Sequence, residues 1–225
     1  VNTEEKQMKR FSFALIVVAA LGATACLQKD TTSTIYLNPD GSVDWVVLEQ
    51  NVRSDAGDGT ERAAEEGAYL TALAEDRHAV AESFRALGGR DVRTQRIRES
   101  RPWMTLVSAH FEDLGAMWSP LLSACGIPHG TRTTSQGGIT TWDFWADLGP
   151  DIVGAAPDHC ADPLEGLLDA TDGAIVLTAG HFEQAVGLVL GGPDRATLPD
   201  SVTDEETLAK TGGRLVLSLS WKNGG

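Results

Sequence analysis

Basic residues are scarce in this chain. Its 225 residues include 18 Lys and Arg against 32 Asp and Glu, for a formal net charge of −14 and a pI near 4.6. That balance excludes a nucleic-acid partner, because binding phosphate backbones needs clustered cations. It also excludes broad electrostatic adhesion to anionic lipid. Cysteine is nearly absent, at three residues, and Tyr occurs twice against six Trp. No His-Glu-x-x-His pattern, no phosphate loop ending in Gly-Lys-Ser/Thr and no internal repeat of fixed period is present. No cofactor is therefore implied, and no catalytic residue is marked by a motif. A hydrophobic share of 42% with 22% charged residues still fits a globular protein with a sizeable core.

The one long apolar stretch lies near the N-terminus. Met8-Lys9-Arg10 precedes a run from Phe11 to Leu21, broken only by Ser12, and then come Gly22, Ala23, Thr24, Ala25 and Cys26. The run falls short of the roughly 20 residues that a spanning helix needs. Cations, a short apolar core and small residues together make an export signal. Ala23-Thr24-Ala25-Cys26 resembles the lipobox of bacterial lipoproteins, with Ala23 where that class prefers Leu. The resemblance implies a diacylglycerol on the Cys26 thiol, cleavage before Cys26 and anchoring to a membrane. Acyl chains at about 0.8 kcal/mol per buried methylene anchor durably. Leu27 after the cysteine resembles an outer-membrane address in a source with two membranes. Residues 1–7 carry two acids ahead of the signal, and translation is expected to start at Met8.

The expected organisation is a signal over 1–25, a polar lipidated tether over 26–33 and one α+β domain over 34–223, with a split near Gly126 as the alternative. Asn38-Pro39-Asp40-Gly41 reads as a turn between a strand over 34–37 and a strand over 42–48, in which Val43, Trp45 and Val47 alternate. Leu70, Leu73, Ala74, Arg77, Val80, Ala81, Phe84 and Leu87 keep helical spacing, predicting one long helix over 60–87 with room for a kink near Gly67. Two further hairpins follow, over 91–111 and 131–145, with a short helix over 114–124 between them, in which Pro120 calls for a bend or a late helix start. Short helices are expected over 162–168 and 203–210, and strands over 174–178, 182–190 and 215–221. The fold class is an antiparallel, hairpin-built sheet with the long helix and shorter helices packed on it. The order of lipidated cysteine, Asn-Pro-Asp-Gly hairpin, helix and a hairpin ending in Phe111-Glu112-Asp113-Leu114 is similar to the mycobacterial LppM-like lipoproteins over about residues 26–114. It implies a role in handling envelope lipids and carries no functional residue across.

Cys125 and Cys160 remain after the anchor, and an even pair in an exported protein reads as a disulfide. The competing reading is zinc held by Cys125, His129, His159 and Cys160, which the bridge would preclude. Arg93, Arg96, Arg98 and Arg101 form the candidate binding patch in this acidic chain, for a lipid headgroup, a glycan or a protein. The competing reading is a charged strand that discourages edge pairing. A tethered hydrolase is the alternative function; it needs convergence of His159, Asp158 or Ser135 into a site. Trp142 and Trp145 fall on opposite faces of their strand, one for the core and one exposed.

Overall fold

The computed structural model describes residues 27–149, 160, 174–199 and 210–223. The expected export signal, Cys26, the expected helix over 162–168 and most of that over 203–210 lie outside these residues. The chain is mixed α/β and dominated by sheets. It divides into two compact units, residues 1–32 with 46–109 and residues 33–45 with 110–225.

Strands are hydrogen-bonded in the order β3 (Arg90–Arg98), β4 (Trp103–Phe111), β2 (Val43–Ser54) and β1 (Leu27–Leu37); the first unit holds β3 and residues 103–109, 46–54 and 27–32 of the other three. Along β4 every second residue, Trp103, Thr105, Val107, Ala109 and Phe111, is buried, the period-2 signature of a sheet with one covered face. In β2 the same alternation runs from Val43 to Glu49 and then shifts by one, so that Val52 and Ser54 are buried instead. Asn51 at φ 55° is the cause. Asn is a residue type that tolerates the left-handed region.

Two helices, not one, follow β2. Helix α1 (Gly59–Ala74) is capped by Asp58, whose carboxylate accepts from the Thr60 and Glu61 amides, and α2 (Ala79–Ala86) starts after His78. No kink falls at Gly67; the break is at residues 75–78. Asp76 takes φ 55°, and the Arg77 amide donates to the Ala72 carbonyl at 2.8 Å, which closes α1 without a glycine. Residues 27–33, expected as a tether, instead form the first part of β1. Leu27 packs with Leu70 and Leu73 against the cluster of Val52, Tyr69 and Trp103.

In the second unit β1 pairs in parallel with β7 (Ala174–Leu177), Thr34 opposite Ala174. The strands β10 (Arg195–Thr197) and β9 (Val189–Leu190) extend that sheet. A separate four-stranded sheet runs β5 (His129–Gln136), β6 (Ile139–Asp147), β11 (Arg214–Lys222), β8 (His181–Val186). The expected single strand over 182–190 is thus two strands in different sheets, turned at Gly187 with φ 71°. Helix α3 (Leu114–Ala124) is capped by Asp113 and lies close on β5: a Cβ on Gly115 would come within 2.5 Å of the Thr131 side chain. The core beneath it is aromatic. Trp118 meets the ring of Phe144 edge-on at 4.8 Å and that of Trp142 at 5.9 Å.

Candidate functional site

A group of polar and ionisable side chains in the first unit surrounds Glu49, which is fully buried. Continuing the alternation of Val43, Trp45 and Val47 puts Glu49 on the covered face of β2. Its carboxylate accepts from the Lys29 ammonium of β1 at 2.6 Å, meets His78 Nε2 at 3.1 Å and accepts from the Tyr69 hydroxyl of α1 at 3.1 Å. The Tyr69 oxygen also lies 2.8 Å from the Thr105 hydroxyl of β4. A phenol has one proton, and an ionised carboxylate can only accept, so that proton belongs to Glu49 and Thr105 donates to the phenol. The His78 ring sits edge-on to Tyr69 at 5.6 Å, and its buried Nδ1 has no hydrogen-bond partner among the described residues.

Burial alone would push the Glu49 carboxyl up. The hydrogen bond and positive charge of His78, with the charge and hydrogen bond of Lys29, override it and hold the group at about 2. Burial raises the Tyr69 phenol, and the neighbouring Glu49 charge raises it further. The centre therefore carries a permanent carboxylate clamped by three donors, from β1, α1 and the α1–α2 junction, with Thr105 of β4 bound to the phenol behind it. With Glu49 fully covered and His78 only 4% exposed, and with the Lys29 side chain 26% exposed, the centre joins elements of the unit. It also accounts for the helix break. His78 turns inward to meet a partner 29 residues earlier in the chain, so helical periodicity persists across a gap in the helix itself.

The arginine patch divides on inspection. Arg93, Arg96 and Arg98 are exposed on β3, the terminal strand of its sheet, and Ile97 beside them is 48% exposed. Arg96 has Glu99 at 3.9 Å, and Arg98 donates weakly to the Pro102 carbonyl at 3.4 Å. Arg101 is engaged instead, with Glu66 at 2.9 Å and the Ser54 carbonyl at 3.2 Å. Arg93 and Arg98 have no carboxylate partner among the described residues.

In the second unit Cys125 and Cys160 form a disulfide with Cα atoms 5.8 Å apart. Both cysteines are buried. Their sulfurs are not thiolates and cannot hold zinc, and among the described residues no group of His, Cys, Asp or Glu is arranged for a metal. His129 Nδ1 bonds the Ile127 carbonyl at 2.8 Å. Ser135 shares its hydroxyl with Thr140 at 3.0 Å inside a hairpin, while Asp158 and His159 lie outside the described residues. Trp142 is buried, and Trp145 lies on the other face of β6 with the Arg214 guanidinium 4.3 Å above its ring. Asp147 accepts from Arg214 twice, at 2.6 and 3.0 Å. Sequence spacing gave no sign of a further pair, Asp44 with His110 Nδ1 at 2.9 Å, which is half-exposed beside the Asn38–Gly41 turn.

No family model matches the chain, and no curated protein matches it. Among solved structures, the folded domain of the Mycobacterium tuberculosis protein LppM is similar at 11% identity and a TM-score of 0.32, over 89% of this chain and 92% of that one. This is a weak structural resemblance. No helix among the described residues is long and apolar enough to cross a membrane.

Proposed function

We propose that the chain is an exported envelope lipoprotein, anchored through lipid on Cys26, whose folded part binds a lipid, a glycan or a protein and does not catalyse a reaction. The observation that carries this reading is the order Met8-Lys9-Arg10, apolar run, Ala23-Thr24-Ala25-Cys26. The disulfide supports it, because such bridges persist in oxidising compartments outside the cytoplasm. The bridge also leaves Cys26 as the one cysteine free for acylation, since the sequence has three. The residue after Cys26 is Leu27, which favours the outer membrane where the source has two.

Intact-mass measurement on the protein extracted from membranes tests the anchor. The expected product starts at Cys26 and carries acyl mass, and Cys26→Ser releases the protein into the soluble fraction. A mature N-terminus at another residue, or an unmodified Cys26, overturns the reading.

A further inference from the structure

The lipoprotein reading normally brings with it a flexible spacer between lipid and fold. Here there is none. Strand β1 starts at Leu27, and Leu27 is already packed against the Val52, Tyr69 and Trp103 cluster. Adjacent Cα atoms are about 3.8 Å apart. The headgroup layer of one leaflet, the difference between a ~30 Å hydrocarbon core and a ~40–45 Å bilayer shared over two sides, is about 5–7 Å deep. A lipid on Cys26 therefore holds the Leu27 end of the first unit within that layer.

The topology decides which side chains occupy that end. Strand β2 runs opposite to β1, as the contacts of Lys29 with Glu49 and of Gln28 with Asp55 require. The end of β2, with Arg53 exposed, therefore lies beside Leu27. Trp103, in the same cluster as Leu27, begins β4. Strand β3 is its neighbour and ends at Arg98, against the Pro102 carbonyl. Arg101 reaches across to the Ser54 carbonyl. Arg53, Arg96, Arg98 and Arg101 thus gather at the end where the chain leaves for Cys26.

Of the acids at this end, Glu66 pairs with Arg101 and Glu99 stands 3.9 Å from Arg96; Glu65, Asp55 and Asp58 accept from the Ser54 hydroxyl, the Gln28 amide and the first amides of α1 and keep their charge. Arg53 and Arg98 have no carboxylate partner among the described residues. An exposed guanidinium without a carboxylate partner is free to recognise phosphate through paired N–H donors.

We infer that the first unit docks directly on the bilayer, with Arg53, Arg96 and Arg98 engaging lipid phosphates at the anchored end. This rests on the lipoprotein reading. The test uses the lipidated full-length mature protein, its acyl mass verified first, in nanodiscs containing phosphatidylglycerol and in detergent. Amide hydrogen exchange is read at Arg53, Ser54 and residues 98–101. The expected result is at least tenfold slower exchange in nanodiscs than in detergent, lost in the combined variant Arg53→Glu, Arg96→Glu, Arg98→Glu. Arg93→Glu, about 17 Å back along β3 at 3.4 Å per residue, keeps the protection. Equal exchange in nanodiscs and detergent, or loss of protection in Arg93→Glu as well, overturns the docking while leaving the anchor intact. Absence of acyl mass defeats the lipoprotein reading instead.

Discussion

The two units solve the same problem, a sheet covered by helix, with opposite chemistry. At the centre of the first is a carboxylate held by an ammonium, an imidazole and a phenol. At the centre of the second are indole and phenyl rings and a covalent bridge. A buried ion is a conditional contribution: it holds only while all of its partners are present, since one unpaired charge in the interior costs several kcal/mol. Packed rings lose stability gradually with each carbon removed. The first unit should therefore respond sharply to single substitutions and to acid, and the second to reductant.

The largest contrast is expected from Glu49→Ala. Lys29 keeps access to water, but His78 and Tyr69 are left buried without their acceptor, and the first unit loses about 3–5 kcal/mol. Denaturant unfolding followed by amide exchange should show the loss over residues 46–109, with little change in β6 and β11. An equal loss in both regions would erase the contrast. Next comes the paired Cys125→Ser, Cys160→Ser variant. Its bridge closes a loop with a sequence separation of 35, worth roughly 3–4 kcal/mol in the chain-entropy model. The melting temperature of the second unit should fall, and wild type under reductant should match the variant.

The smallest effect comes from pH. Glu49 is depressed in the fold, from 4.5 to about 2, so its contribution is fully present above pH 4.5. It is lost as pH falls through that window towards 2. The loss approaches about 3 kcal/mol, and it should be absent from Glu49→Gln, whose amide does not titrate. Acid titrations of the two proteins that run parallel would remove Glu49 as the cause.

Legibility in the sequence followed the range of the interactions. The Asn38–Gly41 turn, the alternation along β4 and the α3 boundaries at Leu114 and Ala124 are set by neighbours in the chain, and they read directly. The break at residues 75–78 did not, because it carries no glycine and answers to a carboxylate on another strand. The parallel pairing of β1 with β7 joins residues 140 apart, such as Thr34 and Ala174, and no local pattern encodes it. The Glu49 centre was half visible: its acid falls on the buried parity of β2, but none of its partners can be named from spacing. Of the arginines, the exposed strand was legible, while the capture of Arg101 by Glu66 depends on a helix packed against the hairpin.

The carboxylate clamp also has a history written into it. Lys29, Glu49, Tyr69, His78 and Thr105 come from five separate stretches of sequence, yet each is suited to its place only by the others. Replacing one leaves an interior group without its match, while replacing the set by apolar residues of similar volume is tolerated. Drift at these positions is therefore coupled. Among descendants of this chain the five will be inherited as a block or lost as one, even where the surface around them turns over freely.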